Sequence, residues 1–290
     1  MIDWTINTIL SWTESYFKDN LIDSPRLTAE MLLSHCLGIK RLDLYLQYDR
    51  PLQKNELSDF KAFIKRRLQN EPVAYITGEK GFFESDFHVT HHVLIPRPDT
   101  ETIVEQALIV LNACQKNLKP KTVLDLGTGS GAIIVSLAKA FPDHLYFASD
   151  ISLPALLIVK KNALKVAKDK ICFFISTWFS SLTPKPIFDL IVSNPPYIPT
   201  MDIQNLQPEI KEFEPMLALD GGRDGLDCFR SILSQAYHYL VPGGTLLLEM
   251  GFDQKQGVEN IFGQYPQYAT IDFIKDLAGH NRVVLIKKIN

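Results

Sequence analysis

The tetrapeptide Asn194-Pro195-Pro196-Tyr197 sets two hydrogen-bond acceptors beside an aromatic ring on a backbone that cannot easily move. Consecutive prolines fix φ, remove two donors and hold the chain extended. The Asn194 amide oxygen and the Pro195 carbonyl can then accept both hydrogens of one planar NH2 group, with Tyr197 packed on its face. A carboxamide or a nucleobase amine is such a group. The segment follows Phe188-Asp189-Leu190-Ile191-Val192-Ser193, which reads as a buried strand, and open α/β sheets bind ligands beyond the carboxyl ends of their strands. Taken alone, the tetrapeptide could also be a Pro-rich turn.

Upstream, Thr122-Val123-Leu124-Asp125-Leu126 is a short strand that runs into Gly127-Thr128-Gly129-Ser130-Gly131, and a helix starts at Ala132. Glycines allow positive φ and close approach of a ligand, while free N–H groups at a helix start favour a carboxylate or phosphate. The same loop fits a weak dinucleotide fingerprint, so it does not by itself separate a nicotinamide cofactor from S-adenosylmethionine. A second strand, residues 145–149, ends in Asp150, whose carboxylate can accept both hydroxyls of a ribose. That serves either cofactor. The acceptor pair at Asn194 separates them, because hydride transfer has no use for it and methyl transfer to nitrogen does. In this reading Asp125 lies near the methionine end of S-adenosylmethionine, and Gly127, Thr128, Gly129, Ser130 and Gly131 wrap its backbone. Trp178, after a third strand at 171–175, could pack on the adenine, although one tryptophan is more often a core aromatic.

These segments together resemble the release factor glutamine N5-methyltransferases of PrmC/HemK type, over nearly the whole chain. The resemblance also rests on Glu71-Pro72-Val73-Ala74-Tyr75-Ile76-Thr77-Gly78, on Val93-Leu94-Ile95-Pro96-Arg97-Pro98-Asp99-Thr100-Glu101 and on Glu214-Pro215. Leu217-Ala218-Leu219-Asp220-Gly221-Gly222-Arg223-Asp224-Gly225-Leu226 and Asp276-Leu277-Ala278-Gly279-His280-Asn281-Arg282 complete it. It implies that residues 127–131, Asp150, Trp178 and Asn194 bind S-adenosylmethionine. Asn194, Pro195, Pro196 and Tyr197 would bind the substrate glutamine, with Asn194, Pro195 and Tyr197 as the catalytic set. The implied partner is a bacterial peptide chain release factor, through the glutamine of its Gly-Gly-Gln loop. One position departs: the family often has an acidic residue before the tryptophan, where this chain has Thr177, a hydroxyl acceptor without charge.

The chain has 290 residues, 46% hydrophobic and 22% charged, enough for two domains and a large core. Its net charge is −3, and the longest basic cluster, Lys65-Arg66-Arg67, reads as a solvated helix face, so no nucleic-acid footprint is expected. This disfavours an adenine-N6 nucleic-acid methyltransferase, which would share the Asn-Pro-Pro-Tyr segment. A ribosomal-protein glutamine methyltransferase would share the chemistry and differ in partner, and a non-catalytic cofactor-binding adaptor is disfavoured because the acceptors are present. The 4 cysteines form no Cys-x-x-Cys pair and the 7 histidines give only His88-x-x-His91-His92, so neither disulfides nor a metal are expected. No leader or membrane-length apolar run is visible, and a cytoplasmic protein working as a monomer is expected.

The elements that must position these residues follow from periodicity. Residues before 72 are helical: a face of Ile6, Ile9, Leu10, Trp12 and Tyr16, a helix from Ser24-Pro25, and a third over 57–68. Residues 73–98 alternate as a β-hairpin linker, with Tyr75, Ile76, Phe82, Phe83, Phe87 and Val89 apolar, ended by Pro96 and Pro98. From 99 to 290 a helix over 100–114 precedes alternating strands and helices, with a fifth strand at 246–248. The last two strands, near 270–273 and 283–286, should pair antiparallel. The expected fold is α/β: a class I, Rossmann-like, seven-stranded methyltransferase domain behind a small helical bundle (1–72), which is expected to dock the substrate.

Overall fold

The computed structural model describes residues 4–113, 119–166 and 170–290; Cys114, expected as the last residue of a helix, lies outside them. The chain forms two compact units, one of Met1–Glu79 with Gln207–Phe213, the other of Lys80–Leu206 with Glu214–Asn290.

The first unit is helical. Helix α1 (Ile6–Asp19) starts at a Thr5 cap whose hydroxyl accepts the Thr8 N–H (3.3 Å), while Thr8 Oγ1 accepts the Thr5 N–H (2.8 Å). Helix α2 (Pro25–Leu37) has proline at its first position, and α3 (Arg41–Leu46), α4 (Lys54–Leu68) and α5 (Val73–Thr77) follow. Ile6, Leu10, Phe17, Leu32, Leu33, Leu44 and Phe60 form the core.

Three expectations for this region change. The buried stripe of α1 is Ile6, Ile9, Leu10, Thr13 and Phe17, whereas Trp12 and Tyr16 stack on each other at 4.9 Å and are 47% and 38% exposed. Positions 12 and 16 lie one residue off the stripe, about 100° round the helix. Residues 73–77 are a helix rather than hairpin, because Pro72 can cap a helix start and Gly78, at φ +73°, ends it. Lys65-Arg66-Arg67 is not simply solvated: Arg66 forms a double hydrogen bond with Glu71 (2.7 and 2.6 Å), and Arg67, 3% exposed, is ion-paired with Glu209 of the returning segment.

The second unit opens with the hairpin β1 (Glu79–Phe82) and β2 (Ser85–His88), whose Phe82 and Phe87 sit in the core beside α6 (Glu101–Ala113). Then come β3 (Thr122–Leu126), α7 (Ala132–Ala140), β4 (Leu145–Asp150), α8 (Leu153–Val166), β5 (Ile171–Ile175) and β6 (Phe188–Ser193). After α9 (Pro208–Phe213), which belongs to the helical unit, follow α10 (Asp227–Ala236), β7 (Leu240–Glu249), α11 (Lys255–Phe262), β8 (Tyr268–Lys275) and β9 (Asn281–Lys288). The sheet is seven-stranded in the order β5-β4-β3-β6-β7-β9-β8, parallel except for β9, which runs antiparallel to both β7 and β8. The class I fold and the antiparallel final pair match the expectation. The fifth strand is longer than expected, because Pro242-Gly243-Gly244 lies within it where the register against β6 shifts.

Both faces of the sheet are covered, which is why its strands are almost wholly apolar. Val123, Leu190, Val192 and Leu247 face the side carrying α6, α7 and α8, while Leu124, Ile191, Leu246 and Leu248 pack against Phe229, Ile232 and Val258 of α10 and α11. Strand order reverses between β3 and β6, the switch point where such sheets open a crevice. The Ser193 hydroxyl donates to the Leu126 carbonyl at 2.6 Å across those two strand ends. Two segments distant in sequence, the loop after β3 and the tetrapeptide after β6, therefore leave the sheet side by side.

Candidate active site

The loop after β3 turns through Gly127, Gly129 and Gly131, at φ +66°, +55° and +83°. Gly131 caps α7, and a Cβ there would lie 2.3 Å from Val159 Cγ2, so only glycine lets α7 and α8 approach this closely. A Cβ on Gly129 would meet nothing within 4 Å, and Gly129 lines a cavity of about 350 Å³. Asp150, at the end of β4, accepts the Gly129 N–H with Oδ2 and the Ser152 N–H with Oδ1, each at 2.9 Å. A carboxylate oxygen has a second lone pair, so both oxygens keep capacity for a hydroxyl. Burial pushes the Asp150 carboxyl up, against those backbone bonds.

Asp125 is nearly sealed beneath the loop, 1% exposed. Its Oδ2 accepts the Thr128 hydroxyl at 2.7 Å, while Oδ1 is buried without a partner among the described residues. Burial raises this carboxyl to about 7; the Thr128 bond opposes the rise and the nearby Asp150 charge adds to it. An unpaired buried carboxylate oxygen below a cavity suits a cationic ligand group. Trp178 lines the same cavity in a turn with φ +51°, uncommon for an aromatic residue, and the Ser176 hydroxyl fixes its carbonyl at 2.9 Å.

Asn194, Pro196 and Thr177 also line the cavity. The Asn194 Nδ2 donates to Thr100 Oγ1 at 3.2 Å, which leaves Oδ1 as an available acceptor. Tyr197 directs its hydroxyl to Glu249 Oε1, 3.4 Å away, and burial, together with the Glu249 charge, pushes its phenol up. Its backbone is clasped by the loop over 219–225. Ile198 donates to Leu219 (3.1 Å), Gly221 donates to Ile198 (2.8 Å), and Gln254 Nε2 donates to the Tyr197 carbonyl (2.8 Å). A Cβ on Gly225 would lie 2.4 Å from that carbonyl, so the clasp requires glycine there.

The structure thus brings Gly127, Thr128, Gly129, Ser130, Asp150, Trp178, Asn194 and Pro196 to one cavity wall. Asp125, Gly131, Pro195 and Tyr197 stand behind that wall, Pro195 buried and Tyr197 with its hydroxyl turned inward.

Sequence reasoning missed the supports. Arg97 is ion-paired with the buried Glu214, and Arg282 pairs with Asp99 (2.9 Å) and Asp276 (3.3 Å), so three motifs far apart in sequence are tied by charge. Glu249 and Gln254 lay outside the recognised motifs. Glu249 did carry a signal, an acidic residue closing an apolar strand as Asp150 does, with Asp125 one residue before the end of its own.

A seven-stranded sheet in this order, with a glycine loop and a strand-end carboxylate at its switch point, defines an S-adenosylmethionine-dependent methyltransferase of class I. The fold is shared with a Pyrococcus furiosus methyltransferase (TM-score 0.50, 20% identity, 77% of this chain and 96% of that one). It is shared also with the hMettl16 catalytic domain in complex with the MAT2A 3′UTR hairpin 6 (TM-score 0.54, 13% identity, 83% and 84%). Residues 8–78 match the PrmC N-terminal domain and residues 103–210 the methyltransferase small domain. The release factor glutamine methyltransferase of Geobacter sulfurreducens is 43% identical over 261 residues, 90% of this chain and 89% of that protein. Those of Rhodopirellula baltica and Chlorobaculum tepidum are 37% identical (98% and 97% covered) and 39% identical (94% of each). The chain belongs to the release factor glutamine methyltransferase family.

Proposed function

We propose that this protein transfers a methyl group from S-adenosylmethionine to the side-chain N5 of a glutamine in the Gly-Gly-Gln loop of peptide chain release factors. The observation that carries this reading is that Asn194 and the Gly127–Ser130 loop line one cavity, which fits an NH2 donor beside a cofactor site. Gly127, Thr128, Gly129, Ser130 and Gly131 would hold the cofactor backbone, Asp150 the ribose, Trp178 and Asn194 the adenine side, and Asp125 the methionine end. When bound, the cofactor supplies an electrophilic methyl group on a sulfonium. The protein contributes geometry. A glutamine amide nitrogen is a poor nucleophile because its lone pair is delocalised into the carbonyl, so Asn194 Oδ1 and the Pro195 carbonyl orient its two hydrogens. Such positioning is worth up to about 7–11 kcal/mol in model reactions. No general base is required, since the methylated nitrogen is acidic enough to release its proton to water or a neighbouring carbonyl. Pro196 completes the substrate wall, with Tyr197 supporting it from behind.

In this reading the helical unit, expected over 1–72 ahead of a linker (73–98) and a methyltransferase domain (99–290), takes the docking role, with the protein acting as a monomer. Support comes from its exposed, stacked Trp12 and Tyr16, since exposed aromatics are enriched at protein interfaces. Among the described residues no helix is long and apolar enough to cross a membrane. The test is mass spectrometry of an intact bacterial release factor incubated with the protein and cofactor. One added methyl group on wild-type factor and none on its Gln→Ala variant is expected. Label on DNA or RNA, or equal labelling of the variant, contradicts the reading.

A further inference from the structure

The helical unit carries a groove that the proposed chemistry does not use. Helices α1 and α4 both pack on α2, and a trough of about 720 Å³ lies between them, floored by the buried side chains of Ile9, Phe60 and Ile64. Trp12 and Tyr16, one turn apart on α1, form one wall, and Leu57, Lys61, Lys65 and Leu68 form the other along one face of α4. One end is fixed in place. The Trp4 carbonyl accepts the Leu52 N–H at 2.8 Å, and the Trp4 ring meets Trp12 edge-on at 6.0 Å.

Charge sets these two lysines apart from their neighbours on α4. Arg66 and Arg67 are paired with Glu71 and Glu209, whereas among the described residues Lys61 and Lys65 have no ion-pair partner and no acidic residue lines the groove. Two unpaired ammonium groups beside an apolar floor call for an occupant with carboxylates along its edge and apolar side chains beneath. The walls are helices, whose backbone N–H and C=O groups are already bonded within them, so an occupant must satisfy its own backbone. An α-helix does so. At about 1.5 Å per residue the stripe from Leu57 to Leu68 runs about 16 Å, room for about three turns. A nucleic acid fits less well, because it needs a cationic track for successive phosphates rather than two lysines.

We propose that this groove docks an acidic amphipathic helix of the release factor, with its apolar face on Ile9, Phe60 and Ile64 and its carboxylates on Lys61 and Lys65. Trp12, large and half exposed on the wall, is the aromatic anchor. This rests on the reading that the helical unit docks the protein substrate, and it adds where the partner sits and what its surface must be.

The test uses the full chain and an intact, fluorescently labelled release factor, with affinity read by anisotropy without cofactor and with KM and kcat read in its presence. Lys61→Glu with Lys65→Glu replaces attraction by repulsion, so binding should weaken at least about tenfold and KM rise alike, with kcat and cofactor affinity unchanged. Wild-type affinity should fall as salt rises, and the double variant should lose that dependence. Trp12→Ala should weaken binding by about thirtyfold, as truncation of an interface hot spot does. A photo-crosslinker attached to Lys61→Cys should label a helix of the release factor rich in Asp and Glu. Wild-type affinity in either the double variant or Trp12→Ala overturns the proposal. So does a crosslink to a non-helical or basic segment or to a second copy of this chain, or displacement of the release factor by a single-stranded RNA oligonucleotide. A release factor that binds in this groove but gains no methyl group overturns the functional reading instead and leaves the groove standing.

Discussion

The loop after β3 and the tetrapeptide after β6 face one cavity but are built differently. The loop is mostly local: its turn comes from three glycines within five residues, and its carboxylates lie at or next to the ends of two neighbouring strands. The tetrapeptide carries its chemistry in four consecutive residues, yet its geometry depends on Thr100, Gly225, Glu249 and Gln254, drawn from three other parts of the chain. A ligand-binding loop that relies on backbone can be written in one stretch of sequence. An oriented side chain needs a surround, and the surround comes from wherever the fold delivers it.

The largest expected effect lies on the tetrapeptide side. Asn194→Ala should leave the fold intact and lower kcat by about 10²–10³, as when one preorganised hydrogen-bonding group is removed. Steady-state rates check it, and wild-type turnover would remove Asn194 from the mechanism. Gly131→Ala should destabilise the protein by about 2–4 kcal/mol, because overpacking against Val159 adds to left-handed strain. Urea unfolding measures it, and a loss under about 1 kcal/mol would mean that α7 and α8 separate easily. Asp150→Ala is expected to weaken cofactor binding by about 1.5–3 kcal/mol without unfolding the protein. Unchanged calorimetric affinity would mean that Asp150 serves only its backbone partners.

The two halves also share a liability. Burial raises Asp125 and Glu249 to about 7 from 3.8 and 4.5. A carboxyl whose folded pKa exceeds its unfolded value gives stability that is full below the unfolded pKa and is lost as pH rises through the folded one. Between about pH 4.5 and 7 the free protein should therefore lose stability as pH rises, and Glu249→Gln should flatten part of that slope, by about 1–2 kcal/mol. Thermal unfolding at pH 5 and pH 8 tests this; an unchanged slope would mean that Glu249 is ionised throughout, held so by Arg282. Gly129→Ala should have the smallest effect, about 1 kcal/mol of left-handed strain, since its Cβ direction is open. If it costs as much as Gly131→Ala, the loop is a packing element before it is a ligand cradle.

How much was legible follows the same division. Strand ends at Asp125 and Asp150, the glycine turn and the prolines could be read directly, because each depends on neighbours within a few residues. Trp12 and Tyr16 were misplaced because a one-residue offset on a helix barely changes an apolar pattern but turns the side chain by about 100°. Residues 73–77 were misread because short apolar runs fit a strand or a helix turn equally well. The buried Arg67 looked like a surface charge because its partner, Glu209, lies far along the chain.

By itself, the sequence determined the periodic elements, the two backbone devices and the residue types able to hold an amide and a cofactor. Those are properties of φ restriction, helix and strand periodicity and local hydrogen bonding. Only the tertiary structure decided that β3 and β6 lie side by side, that Arg282 joins Asp99 to Asp276, and that Thr100 and Glu249 stand behind Asn194 and Tyr197. Those contacts join residues distant in the chain, and what selects them is the burial of both faces of one sheet and the pairing of the charges and hydroxyls buried with it.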